Sequence, residues 1–481
     1  GLMPSKTRLI AFILGVTLAG LGATWADWPT HRGNAARTAA WASPTGPRQP
    51  KVLWVYRSTE HYLASPVPTP KTLLVSGLGA FNSPILRALA LQGEKAGQVV
   101  WSKSVPVLKL PVVCPPAFAG HRLIFGDGMH QTDGATLRCL DAETGLLLWQ
   151  VEFPGRLVHI ESAPTVVSQR AYFGAGNGGV VCVDFSRLTL EGKEMPEDAA
   201  RQFVLQRWQT LLAQYEADRK KNPETAVPPN ESQLAVPLAR IAWQVGQEKW
   251  HVDAPVNVVG QRVLAGSAYL EMEKLGERAL FCLDADTGKV LWQKPLRYNP
   301  WAGPTVVGEI VLIGGSNIRF DTRLAKKAKG EVAAFRLNDG QPLWQREVPG
   351  GVLSAIAAHR GLAIFTATDG RVRALDLATG QLRWNYDAKQ PFFAGPAVTD
   401  DAVYAADLSG TIHALTLETG QRLWTFSLGQ DPAVNAPGLI FGSPVLAHGR
   451  LYLATCNHEG PHLRQPTVVV CIGDAQVAPV Q

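Results

Sequence analysis

Short apolar runs separated by polar turns fill most of the chain, and eight of these runs close on tryptophan. In the clearest copies an aliphatic segment ends, a turn of the form Asp-x-x-Thr-Gly follows, and a second aliphatic segment leads into Trp. These are LDAETGLLLW at Trp149, LDADTGKVLW at Trp292, LDLATGQLRW at Trp384 and the near copy LTLETGQRLW at Trp424. Looser copies close on Trp54, Trp101, Trp243 and Trp344. A second marker keeps step with the first: a small residue before proline, as in Ser65-Pro66, Ala163-Pro164, Ala254-Pro255 and Ser443-Pro444, with Ser354-Ala355 as the departure. Both markers count to eight at a spacing of roughly 40–50 residues, which predicts an all-β fold: an eight-bladed β-propeller of four-stranded antiparallel blades. Strand A follows the proline, strand B is an aliphatic-aromatic run such as LIFG or AVYAA, strand C ends in Leu-Asp and strand D ends in Trp. Glycine in the C-to-D turn supplies a positive φ, and Asp or Thr bonds the turn's own backbone.

The last blade holds strands A to C and then runs out of sequence. Its missing strand is KVLWVYR around Trp54, at the other end of the chain. Borrowing that strand closes the ring and removes two unpaired sheet edges, so residues 51–57 are predicted to lie beside residues 467–473. One segment breaks the period, from Trp149 to Trp243. Its insertion, residues 186–240 on the C-to-D side of blade three, contains a predicted helix over 197–221. Val204, Trp208, Leu211 and Tyr215 share one helix face, and Pro196 and Pro223 bound it. The helix reads either as packed on the propeller rim or as an arm that binds a partner.

Composition fits a ring. A length of 481 residues exceeds one ordinary core, whereas blades add without thickening it. The 46 Gly and 34 Pro suit many tight turns. A net charge of +6 is spread without a basic stripe, which argues against nucleic acid as the partner. Lys6 and Arg8, an apolar run over 9–21 and small residues up to Ala26 read as an export signal. The expected organisation is a signal peptide at 1–26, an N-terminal arm at 27–50, the propeller at 51–475 and a tail at 476–481. The location is then periplasmic or secreted, with membrane contact only through an uncleaved signal. Cys139, Cys182, Cys282 and Cys471 occupy one strand position in different blades, too far apart to pair, and read as small buried apolar residues. Cys114 and Cys456 lie outside that pattern, and their pairing stays open.

The repeats ending at Trp149, Trp292 and Trp384 resemble the tryptophan-docking repeat of pyrroloquinoline-quinone-like (PQQ-like) β-propellers. That family includes quinoprotein alcohol dehydrogenases and BamB-type outer-membrane assembly propellers. The resemblance covers about residues 50–475 and implies that Trp54, Trp101, Trp149, Trp243, Trp292, Trp344, Trp384 and Trp424 dock structurally between blades. DWPTHRGN at 27–34 is similar to the start of secreted bacterial proteins of this repeat class, with His31 as a departure, and implies an arm held by Trp28 and Arg32.

Quinoprotein dehydrogenases carry adjacent cysteines and a calcium site of oxygen ligands. This chain has no Cys-Cys pair and no Cys-x-x-Cys-His, so no cofactor is expected and PQQ with calcium is disfavoured. Two positions before the strand-A proline the blades mostly carry small residues, and Asp253 is the exception. With Glu161, His159 and His251 in the same two loops it offers a set that can bind a divalent ion or act as acid and base; the alternative is a group of exposed or mutually paired loop residues. A weaker metal candidate is CNHEGPH, with Cys456, His458 and His462 at a spacing that matches no standard zinc pattern. Aromatic residues on the same face, among them Trp301, Phe393 and Phe441, suit contact with a ligand, a peptide or a strand edge. Together these readings favour a non-catalytic exported scaffold that binds a protein partner or ligand in the cell envelope. The alternative is a divergent PQQ/Ca-dependent oxidoreductase with its site at the channel mouth.

Overall fold

The computed structural model describes residues 45–475; the expected signal peptide at 1–26, Trp28 and Arg32 of the arm and the tail at 476–481 lie outside the described residues. Six separate four-stranded sheets form, together with one nine-stranded sheet. The larger sheet divides into two four-stranded units, joined by a single parallel pairing of Leu238 with Gln150 and carrying Lys193–Pro196 as a side strand. The described residues therefore contain eight four-stranded units, numbered one to eight from Val67. In unit eight the strands Val445–Ala447, Arg450–Ala454 and Thr467–Asp474 are completed by Pro50–Ser58 from the start of the chain. That pairing is antiparallel, from Pro50 opposite Asp474 to Ser58 opposite Thr467, in agreement with the predicted closure.

A belt of hydrogen bonds between the inner strands carries the chain round the ring. Ser76 Oγ donates to the Cys114 carbonyl, Cys114 Sγ to Ser162, Thr165 Oγ1 to Val256 and Asn257 Nδ2 to Pro304. Thr305 Oγ1 then donates to Ile356, Thr366 Oγ1 to Ala394, Gly395 N to Ser443 Oγ and Ser443 N to Ser65 Oγ. Each bond links one unit to the next, and the last returns to unit one. Cys114 is thus a free thiol with a place in the belt, and all six cysteines are free and buried.

The strands do not bury their faces in one shared core. Apolar clusters sit between neighbouring sheets instead: Tyr172 and Val180 of unit three against Val258 and Phe281 of unit four, then Leu264 and Leu280 of unit four against Val311 and Phe335 of unit five. Each interface is sealed at its outer end by tryptophan. The indole Nε1 of Trp243, Trp292, Trp344 and Trp384 donates to the carbonyl of Ala285, Leu337, Leu377 and Leu417 in the following unit, at 2.9–3.0 Å. The same ring lies flat on the Thr-Gly turn of that unit. At Gly420, where φ is +71°, a β-carbon would stand 2.3 Å from the Trp384 ring, and at Gly380 2.5 Å from Trp344. Glycine is required there for the backbone conformation and again for the approach of the indole.

Three junctions depart from the regular turn: unit one turns through a longer loop, where Trp54 packs on Gly97 without an N–H bond among the described residues, and the other two are repaired in different ways. Unit eight has no C-to-D turn, because its fourth strand comes from the other terminus; Trp424 Nε1 donates instead to the Pro47 carbonyl, 2.9 Å away. In unit three the insertion displaces the turn. Its helix Glu197–Lys221 presents Glu197, which accepts from Trp149 Nε1 at 3.2 Å and from Arg122 Nε at 2.8 Å, while Phe185 stacks on Trp149 with centroids 5.1 Å apart. Only Glu197, Ala200 and Val204 of the helix are buried. Trp208, Leu211 and Tyr215 are half-buried along the same side, and Phe203 faces solvent.

Replacing Trp384 by Ala is expected to lower unfolding free energy by ~3–5 kcal/mol, read from urea denaturation. Glu197→Ala strands Arg122 and the Trp149 N–H in a buried site and is expected to cost about 3–5 kcal/mol. Glu197→Gln, which keeps an acceptor, is expected to cost distinctly less in the same measurement.

Candidate functional site

In this sheet order the B-to-C and D-to-A loops emerge on one face, and that face is where the ionisable residues gather. The D-to-A loop from unit two to unit three is pinned by Ile160 N donating to the Asp127 carbonyl at 2.9 Å. The next loop, from unit three to unit four, is pinned by His251 N on Ser267 Oγ at 3.0 Å and by paired backbone bonds between Val252 and Gly176. These anchors bring His159, Glu161, His251 and Asp253 together with almost no solvent exposure. Room for the His159 ring comes from Gly176, where φ is +56° and a β-carbon would meet Nε2 at 2.8 Å.

Asp253 is clamped between two imidazoles: Oδ1 lies 2.9 Å from His159 Nε2 and Oδ2 lies 3.0 Å from His251 Nε2. Glu161 is 3.8 Å from His159 Nε2, and its carboxylate has no side-chain hydrogen-bond partner among the described residues. His130, from the B-to-C loop of unit two, and Arg319, from that of unit five, complete the group. Arg319 Nη1 donates to His130 Nδ1 at 3.0 Å, and its guanidinium stacks on Trp301, 3.9 Å from the ring centroid. Four donor atoms, one each from His130, His159, His251 and Asp253, fall within 4.8 Å of one another and form a set able to hold a metal ion.

Burial would raise the Asp253 carboxyl, yet His251 and His159 override it and hold it well below the usual carboxylate range. Glu161 behaves in the opposite way: burial and repulsion from Asp253 push it up to about 8, against the pull of His159 and Arg319. His159 would be depressed by burial, but Asp253 and Glu161 lift it above its ordinary value. For His251 burial prevails and lowers it, and His130 is driven far down by burial and by Arg319. Arg319 itself is pushed down to about 10 by burial, with Asp253, Glu161 and Glu273 opposing. Two carboxylates side by side thus divide into one firmly ionised and one inclined to keep its proton.

A pocket of about 630 Å³ opens above Arg319 and Trp301, with Glu273, Tyr298 and Arg323 among its walls. Beyond the pocket the mouth is closed. Leu63, Met129, Trp301, Phe320, Phe393, Phe441 and Cys456 pack with other loop residues into one buried apolar cluster contributed by six units. Trp301, Phe393 and Phe441, expected to suit contact with a ligand, a peptide or a strand edge, are each buried in this plug, because their loops turn inward to cover apolar surface that an open channel would leave wet. Cys456, His458 and His462 do not converge as a metal site among the described residues. Cys456 faces into the plug, with its thiol pushed up to about 12 by burial, and His458 packs edge-on against His61. Sequence reasoning missed His130 and Arg319. Both stand on B-to-C loops, which carry no repeat register to make an odd residue visible, whereas Asp253 broke a pattern of small residues.

Glu459 beside the plug gives a pH dependence. Burial and repulsion from Asp321 raise its carboxyl from 4.5 to about 7, with Arg323 opposing. Since the folded-state value is the higher one, its stabilising contribution is whole below about pH 4.5 and is lost as pH rises through about 7. Thermal unfolding at pH 5 and pH 8 checks this: Glu459→Gln is expected to narrow the difference between the two melting temperatures.

No match is found among curated protein sequences. Solved structures with the same fold include BamB from Moraxella catarrhalis, 15% identical with a TM-score of 0.56, covering 88% of this chain and 99% of that one. A europium-containing methanol dehydrogenase is 15% identical with a TM-score of 0.59 and covers 95% and 99%. A quinohemoprotein alcohol dehydrogenase from Pseudomonas putida HK5 is 12% identical with a TM-score of 0.56 and covers 100% and 83%. At such identities the likeness speaks for the fold alone. The family pattern described as outer membrane protein assembly factor BamB matches residues 82–210 and 314–477, more than half of the sequence. With repeated Trp and Thr-Gly latches and a ring of four-stranded sheets, the chain belongs to this family of PQQ-like repeat propellers.

Proposed function

We propose that the chain is a non-catalytic, exported β-propeller that acts as a binding scaffold in the cell envelope, holding a protein partner or ligand on the face made by its D-to-A and B-to-C loops. The observation that carries this reading is the apolar plug, which spends the aromatic residues of the mouth on closing it and leaves the loop tips as the accessible surface. Those tips carry apolar side chains held out in water. Phe81 is fully exposed at a residue with φ of +57°, Met272 is 80% exposed, and Leu324 and Leu463 are exposed on the tips of units five and eight. Exposed large apolar groups on otherwise polar loops mark contact surfaces. The likeness to BamB and the family described as an outer membrane protein assembly factor support the envelope as the setting and a protein as the partner.

The dehydrogenase reading has one observation in its favour, the buried Glu161 and Asp253 beside a pocket at the mouth. The residues present fit the quinone and calcium poorly. Phe393, Phe441 and Trp301 fill the centre of the mouth where a flat tricyclic ligand would need a slot, and imidazoles outnumber the oxygen donors that calcium prefers.

Two measurements test the scaffold. Native mass spectrometry with added PQQ and Ca²⁺ is expected to show no stoichiometric mass shift, and a shift abolished by Glu161→Ala with Asp253→Ala would overturn the proposal. Photo-crosslinkers at positions 81 and 272 in envelope preparations are expected to yield one defined adduct, with none from position 143 on the opposite face; equal yields at all three would count against a dedicated face.

A further inference from the structure

We propose that His130, His159, His251 and Asp253 form a binding site for a first-row divalent transition ion of the zinc class, buried at the channel mouth. Three observations lead there. The first is geometry. Donor atoms from three loops converge within 4.8 Å, and the closest pairs, Asp253 with His159 and with His251, stand 2.9 and 3.0 Å apart. Separations of about 3 Å are the edges of a shell whose ligands lie at roughly 2.0–2.2 Å from a shared ion.

The second is unfinished bonding. A buried polar network that existed only for hydrogen bonding would satisfy its members. Here Glu161, wholly buried and 3.8 Å from His159 Nε2, has no side-chain hydrogen-bond partner for its carboxylate among the described residues. A divalent cation at the convergence point balances the charge of Asp253 and gives Glu161 a counter-charge when it ionises. It also gives the imidazole Nε2 lone pairs a ligand, with the ring protons carried on Nδ1.

The third is donor type. Three imidazoles and one carboxylate suit Zn²⁺, Co²⁺, Ni²⁺ or Cu²⁺ and do not suit Ca²⁺, which takes six or more oxygens.

Access runs through the pocket over Arg319. Glu273 on the pocket wall lies 3.6 Å from His130 Nε2, and Arg319 lies between that wall and the cluster, donating to His130 Nδ1. Arg319 acts as a gate. Its guanidinium occupies one imidazole and repels an entering cation, so an incoming ion has to turn it toward the pocket. This assigns Arg319 a role opposite to that of the ligands: removing a ligand weakens binding, and removing Arg319 strengthens it.

The test uses the full exported protein, stripped with chelator and titrated with Co²⁺ and Zn²⁺, with Ca²⁺ as the comparison ion. The expected results are one equivalent of zinc by metal analysis and a visible d–d band from one equivalent of Co²⁺ that Zn²⁺ displaces. His251→Gln and Asp253→Asn are expected to weaken binding at least about 100-fold, and Arg319→Gln to tighten it at least about tenfold. Near-ultraviolet circular dichroism reports whether each variant folds; if the ligand variants do not, the pair of wild type and Arg319→Gln carries the test. The proposal is overturned if wild type and Arg319→Gln both show no Co²⁺ band and no bound zinc, if folded ligand variants bind unchanged, or if Ca²⁺ competes at equal concentration.

Discussion

The fold depends on one contact, made at most of the junctions of the ring: an indole lying flat on the glycine turn of the next sheet while its N–H reaches the carbonyl three residues before that glycine. An isolated four-stranded sheet of this size cannot bury both of its faces. The latch fixes how each sheet sits on its neighbour, so that the apolar faces meet in the same way along the ring. It also explains a coupling in the sequence. Trp and Thr-Gly recur together because each Trp serves the Thr-Gly turn of the following unit as well as ending its own strand. Where the regular turn is missing, Pro47 and Glu197 supply the acceptor from other parts of the chain.

What the latch does for the outer edge, the plug and the belt do for the centre. Ser, Thr, Asn and Cys side chains link the inner strands, and the loops fold over them as an apolar lid. A polar cluster sits within this sealed region on the side of units two to five. It combines a depressed Asp253, a raised Glu161 and an arginine stacked on Trp301. Burying that much charge is expensive unless the groups are matched, and the matching here comes from loops of three or more units acting together.

The repeat was readable because every one of its signals is local: a turn, a strand end and a proline, each recognisable from a few neighbouring residues. Closure by Pro50–Ser58 was readable for the same reason, since the eighth repeat visibly lacked its last strand. The site was half readable. Asp253 stood out against a pattern of small residues, with Glu161, His159 and His251 in the same two loops. His130 and Arg319 come from loops without a repeat, 189 residues apart, and meet only because the ring brings them round. The burial of Trp301, Phe393 and Phe441 was hidden for a related reason: a sequence shows which loops reach the mouth and does not show whether they lean in or out.

The borrowed strand has a consequence in time. Ser58 and Thr467 are bonded across 409 residues, so Pro50–Ser58 has its partner only once residues 467–474 have been made. Until then Pro50–Ser58 is an edge without a partner, half-apolar and open to pairing with another chain. Closing the ring is thus the contact of longest range in the fold, and such contacts form late. The closing step is therefore the natural point for a chaperone to act and for aggregation to compete.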